Sequence, residues 1–179
     1  NLTAEMLVRE LGRRDGDGGT DAGLAAVTQE LRSLGLPTEG MKLTDGSGLD
    51  VSNRATCALL FATLALGGDG GGGGEAGRFV PLVNGLAVAG RSGTLVRRMA
   101  GTELEGRLRA KTGAIDGVAA LTGLVDGKRD ISFAFIANGA FSDSGGRSLQ
   151  ERVASLLARF PEGPPVDSLR PLPTGAAAE

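Results

Sequence analysis

Residues 107–111, 118–125 and 131–137 each read as a β-strand, and only short turns separate one from the next. Strands this close in sequence pair antiparallel, because a parallel crossover needs a dozen or more connecting residues. The three therefore predict an antiparallel meander. Asp126-Gly127-Lys128 has the composition of a hairpin connector, and Asp116-Gly117 that of a turn between the first two strands. The rest reads mainly as helix. Over residues 3–11, Met6, Leu7 and Leu11 recur at helical spacing against Glu5, Arg9 and Glu10, and Gly12 ends the run. Thr20 or Asp21 caps a second helix with Leu24, Val27, Leu31 and Leu34 on one stripe, stopped by Gly35. Residues 40–44 read as a short strand, and Ser52 or Asn53 starts a third helix reaching Leu66. Residues 92–99 read as a short helix or turn. Residues 149–160 form a closing helix with Val153, Leu156 and Leu157 inward. Helices, then an antiparallel sheet, then one helix make an α+β arrangement.

Composition narrows what such a fold could do. The chain has 179 residues, 41% of them hydrophobic, which suits one domain or part of one with a real core. Residues 67–77 hold eight glycines and predict a flexible surface loop. Residues 161–179 hold five of the seven prolines and predict an extended or disordered tail, leaving 1–160 as the domain portion. There is no histidine, so a Ser-His-Asp triad, a Cys-His pair and a His-ligated metal are all excluded. The single cysteine, Cys57, has no internal disulfide partner and reads as a small buried hydrophobe. A net charge of −2, with Phe as the sole aromatic type, argues against nucleic-acid binding. No apolar run reaches the length of a membrane span. The chain opens without Met inside a predicted helix, from which missing upstream sequence is expected.

The feature with most chemical content is Lys111-Thr112-Gly113, on a basic strand with Arg107 and Arg109 and followed by Ala114. A lysine at a strand end attracts a carboxylate, a threonine hydroxyl can hydrogen-bond it, and glycine lets a substrate backbone lie close. By itself the tripeptide is equally a charged strand end with a hairpin glycine. It is not a phosphate loop: Arg107 follows Gly106 where lysine is needed, and Ala110 precedes Lys111. Residues 45–50, Asp-Gly-Ser-Gly-Leu-Asp, read as a tight Asx-type turn, and calcium binding is poorly supported because no further acidic ligands follow at loop spacing. Residues 90–95, Gly-Arg-Ser-Gly-Thr-Leu, read as a polar helix entry capped by Ser92 or Thr94.

Taken in order, DGSGLD at 45–50, GRSGTL at 90–95 and RLRAKTGAIDGV at 107–118 resemble the DacB-type, S13 family of low-molecular-mass penicillin-binding D-alanyl-D-alanine carboxypeptidases. Residues 1–5, Asn-Leu-Thr-Ala-Glu, are similar to the continuation of that family's Ser-Asp-Asn motif, with Asn1 as its asparagine. The resemblance covers residues 1–160. It implies the β-lactamase/DD-peptidase fold, in which an antiparallel sheet is flanked by helices and the site lies at the sheet edge. It also implies three motifs, Ser-x-x-Lys, Ser-x-Asn and Lys-Thr-Gly.

On this resemblance the enzyme forms an acyl-enzyme with peptidoglycan stem peptides ending in D-Ala-D-Ala, needs no cofactor or metal, is inhibited by β-lactams and works outside the cytoplasm. Endopeptidase activity is a further expectation. Lys111 would supply positive charge and support proton transfer. Thr112 would bind the terminal carboxylate, beside Gly113, and Asp116 and Ser47 would also contact substrate. The Ala114 N–H would be one oxyanion donor, and Asn1 would hydrogen-bond the peptide side of the substrate. The chain departs from the family pattern in having Ala114 where serine often follows the Lys-Thr-Gly, and Asp50-Val51 where Ser-Arg is common. No serine has lysine three residues on, and there is no Ser-x-Asn, so the 179 residues alone are expected to be inactive. Two other readings share these residues: a non-catalytic peptide-binding module and a β-lactamase.

Overall fold

The structure, a computed structural model, describes residues 1–15, 18–67 and 79–163. Most of the predicted glycine-rich loop and of the predicted proline-rich tail lies outside them. Helices α1 (Leu2–Asp15) and α2 (Thr20–Ser33) pair first, followed by α3 (Cys57–Ala65) and α4 (Val80–Asn84). Strands β1 (Ala87–Val88), β2 (Leu108–Ile115), β3 (Val118–Val125) and β4 (Ile131–Asn138) then form one antiparallel sheet in the order β1-β2-β3-β4. Helix α5 (Asp143–Ala158) closes the fold.

The meander is as predicted, with one difference that matters. Strand β2 does not stop at Lys111: it runs on through Thr112, Gly113 and Ala114 to Ile115, so the Lys-Thr-Gly sits inside a strand. Pairing with β3 from Leu108↔Val125 to Ile115↔Val118 draws these residues into the ladder. A two-residue turn joins the strands, and Gly117 supplies its left-handed residue (φ +69). Alternation along β3 buries Ala119, Leu121 and Val125.

Leu121 and Val125 join Leu95, Leu104, Leu108, Phe133 and Ala154 of α5 in the main core cluster. Each fully buried leucine contributes about 2 kcal/mol. The segment between β1 and β2 supplies Leu95 and Leu104, so its polar residues are anchored by buried neighbours.

Several helix expectations are corrected. Helix α1 continues through Gly12 to Asp15. Its inner face is Ala4, Val8 and Gly12, while Met6, Leu7 and Leu11 are exposed. The reason is close approach: a Cβ on Gly23 of α2 would lie 1.9 Å from the Val8 carbonyl oxygen, so the helices cross on small residues. Gly19 precedes α2 without a side-chain cap, whereas Gly35 (φ +71) ends it as predicted. Residues 40–44 form no strand, only an isolated Lys42–Arg54 bridge. Helix α3 starts at Cys57, later than predicted, because the Thr56 hydroxyl caps the Leu59 N–H at 3.1 Å. That places Cys57 in the first turn, where it is exposed rather than buried. Helix α5 starts earlier, at Asp143, capped by Ser142, and Leu156 points to solvent. Helix α4 and strand β1 were not anticipated.

Candidate active site

The direction of the backbone groups along β2 follows from two hydrogen bonds. The Leu108 carbonyl accepts from Ala89 N–H at 2.9 Å, on the β1 side. The Arg107 carbonyl accepts from Asp126 N–H at 2.9 Å, on the β3 side. Backbone groups alternate between sides along an antiparallel strand, so those of Thr112 and Ala114 point the same way as those of Leu108. On that side β1 is two residues long and pairs only with Arg109 and Ala110. Among the described residues no strand pairs with Thr112 or Ala114 there. The Lys-Thr-Gly-Ala stretch thus presents an open sheet edge, bonded to β3 on one side and, among the described residues, without a strand partner on the other.

Polar side chains gather at this edge. The Lys111 ammonium donates to the Thr112 carbonyl at 2.6 Å. The Thr112 hydroxyl donates to the Thr94 hydroxyl at 3.0 Å. Thr94 belongs to the 3₁₀ turn Gly93–Leu95, whose next residue, Leu95, is fully buried and pins the turn. Neither Ser92 nor Thr94 caps a helix as predicted: the Ser92 hydroxyl instead accepts from the Val88 N–H at 3.0 Å. A Cβ on Gly113 would lie 3.3 Å from the Ala120 Cβ, so glycine keeps that face of the strand thin. Ala114 is exposed, and Asp116 is exposed in the β2–β3 turn.

Asn1 and Ser47 belong to a different cluster. Asn1 is exposed and its carbonyl accepts from Glu5 N–H at 3.1 Å, in the first turn of α1. Residues 45–50 form the expected Asx-type turn. The Asp45 carboxylate accepts from the N–H groups of Gly48, Leu49 and Asp50 (2.7–3.0 Å), the Ser47 hydroxyl (3.2 Å) and the Asn53 amide (2.8 Å). Burial opposes its charge, but these donors outweigh burial and hold its pKa below the usual aspartate range. The Ser47 N–H donates to Glu5 at 2.9 Å, tying the turn to α1. The Ser47 hydroxyl leads the causes that hold Glu5 below its ordinary pKa. That hydroxyl has one proton and two carboxylates in reach, and its hydrogen-bonding geometry favours Asp45. No hydrogen bond or ion pair among the described residues joins this cluster to Lys111 and Thr112.

Sequence reasoning missed two residues that touch the strand. Thr94 looked like a cap. Gln150 of α5 was not singled out beside the inner-face residues Val153, Leu156 and Leu157, yet it is 1% exposed and bonded to the Gly113 carbonyl at 3.1 Å.

Comparison with known proteins bears directly on this arrangement. The model of the D-Ala-D-Ala carboxypeptidase 3 (S13) family matches residues 1–160. Among curated proteins, the chain is 38% identical over 175 residues to a D-alanyl-D-alanine carboxypeptidase of Actinomadura sp. (strain R39), covering 91% of this chain and 31% of that protein. Among solved structures, penicillin binding protein 4 (dacB) from Haemophilus influenzae superposes with a TM-score of 0.69 at 22% identity, covering 86% of this chain and 37% of that one. A penicillin G acylated predatory endopeptidase, Bd3459, from Bdellovibrio bacteriovorus gives 0.64 at 23% identity, covering 92% and 43%. The shared architecture is the DD-peptidase fold, and the chain spans about a third of the length of the curated relative it matches.

Proposed function

The chain belongs to the D-Ala-D-Ala carboxypeptidase 3 (S13) family, and from that premise we propose that it forms the sheet-edge half of a serine D-Ala-D-Ala carboxypeptidase site. The observation that carries the reading is the open edge of β2 at Thr112–Ala114. An extended peptide added to that edge gains main-chain hydrogen bonds in register. The Thr112 hydroxyl, with Thr94 beside it, binds the substrate's terminal carboxylate. The exposed Lys111 ammonium provides the local positive charge and supports proton transfer. The Ala114 N–H stabilises the oxyanion that develops on the scissile carbonyl.

The nucleophile is a Ser-x-x-Lys serine that these 179 residues do not contain; it comes from the family length that the chain does not span. Its hydroxyl attacks the penultimate D-Ala carbonyl, the C–N bond breaks, the departing D-Ala takes the proton, and water hydrolyses the ester. In the same reading Asn1 bonds the peptide side of the substrate, Ser47 and Asp116 contact it further along the cleft, and Gly113 admits its backbone. The substrate is a peptidoglycan stem peptide met outside the cytoplasm, β-lactams are acylating inhibitors, and endopeptidase action on cross-linked peptides is a second activity of the site.

Intact-mass analysis after incubation with benzylpenicillin tests this. The full-length gene product should gain one penicilloyl adduct and the 179-residue chain none. Absence of an adduct on the full-length protein, with the penicillin left intact, would overturn the proposal in favour of a non-catalytic peptide-binding module. Rapid turnover of penicillin would overturn it in favour of a β-lactamase.

A further inference from the structure

Gln150 is the only buried polar or charged side chain among the described residues, 1% exposed on the face of α5 that meets the sheet. Its amide nitrogen donates to two main-chain carbonyls, Gly113 at 3.1 Å and Ala120 at 2.9 Å. Those residues are cross-strand partners, one from β2 and one from β3. Its carbonyl oxygen accepts from an Arg98 guanidinium nitrogen at 2.9 Å. Arg98 is held in turn by Glu151 at 3.0 Å and by the Arg147 carbonyl at 3.3 Å. With an obligate donor on its oxygen, the amide has one orientation, nitrogen toward the sheet.

The Gly113 carbonyl and the Ala114 N–H are the two ends of one planar trans peptide unit and point in opposite directions. Fixing the carbonyl on the β3 side therefore aims the N–H at the open edge. The ladder alone permits twist about this unit, because no strand among the described residues pairs with its outer end. A second hydrogen bond from α5, set by Arg98, removes that freedom.

We propose that Gln150 is a positioning residue which, oriented by Arg98, locks the Gly113–Ala114 peptide plane so that the Ala114 N–H is preset for the oxyanion. This rests on the acyl-enzyme reading above. An oxyanion donor acts more strongly on the transition state than on bound substrate. Loss of its alignment should lower the acylation step and spare the preceding complex.

The test is stopped-flow acylation of the full-length protein by benzylpenicillin, resolving the acylation constant from the dissociation constant of the non-covalent complex, with thermal melts alongside. Gln150→Leu keeps the volume and removes the donor. It should slow acylation roughly 10²-fold, the scale for a group misplaced by about 1 Å, with the dissociation constant unchanged. Arg98→Met leaves Gln150 in place without its orienting partner and should slow acylation about tenfold, the effect of a partly lost alignment. It serves alone if Gln150→Leu does not fold. Wild-type acylation constants in the folded variants, or a weakened complex with an unchanged acylation step, would overturn the inference about Gln150. Absence of any adduct on the wild-type protein would instead overturn the acyl-enzyme reading beneath it.

Discussion

Thr94 and Thr112 meet hydroxyl to hydroxyl at 3.0 Å across eighteen residues of sequence. Neither is buried, so the pair is free to reorient toward a ligand. Thr112→Val in the full-length protein should raise KM for a D-Ala-D-Ala peptide about tenfold, the scale of one hydrogen bond to a charged group. Thr94→Val should give a smaller rise in the same direction. Neither should alter KM for the same peptide with its C-terminus amidated, and steady-state kinetics on the two peptides checks both points.

Among the described residues the Lys111 side chain makes one hydrogen bond, to its neighbour's carbonyl, and it is exposed. Fold stability should not depend on it. Lys111→Ala is expected to leave the melting temperature unchanged while cutting acylation at least ~10²-fold, the scale for a lost transition-state contact. Near-normal acylation in a stopped-flow measurement would remove Lys111 from the chemistry.

The turn at residues 45–50 should be sensitive to acid. Asp45 and Glu5 both have folded pKa values below their ordinary ones. A carboxylate depressed in the folded state stabilises it fully above the unfolded pKa, and loses that contribution as pH falls through the folded value. Stability should thus hold above about pH 5 and decline below about pH 4, where ordinary carboxylates take up protons. Asp45→Ala should cost about 2 kcal/mol at pH 7, since it orphans several donors, and should flatten the decline. Urea melts at a series of pH values measure both.

The α1–α2 crossing predicts a sharp steric effect. Gly23→Ala would drive a methyl into the Val8 carbonyl, and the expected loss is at least about 2 kcal/mol, the range for overpacking a tight contact. Leu7, beside Val8 on α1, is exposed, and Leu7→Ala should shift stability by no more than about 0.5 kcal/mol. Paired denaturant melts distinguish the two.

What was legible in the sequence divides by physical cause. The β2–β4 meander was, because strand-like segments separated by short turns have few ways to pair other than antiparallel with their neighbours. The Asx-type turn was, because Asp45 needs only donors within a few residues of itself. Helix α1 was legible but its end was misplaced at Gly12, because that glycine lies within the helix and packs closely against α2 beside Val8, where closeness of approach outweighs side-chain size. Cys57 was misplaced because the Thr56 cap fixed a helix start that apolar content alone could not locate. The Lys-Thr-Gly was recognisable as a motif. Its neighbours Thr94 and Gln150 were not, since each reaches the strand through tertiary packing that leaves no local periodicity.

The brevity of β1 has one more consequence. It leaves part of β2 without a strand partner among the described residues along one edge, so that what faces outward there includes N–H and C=O groups common to nearly every residue. Point substitution replaces side chains and leaves that backbone pattern in place. Proline is the exception: at position 114 it would delete the N–H itself. A recognition surface of this kind is therefore hard to edit by single mutations, and evasion of a ligand that reads it would have to come from the residues around the strand.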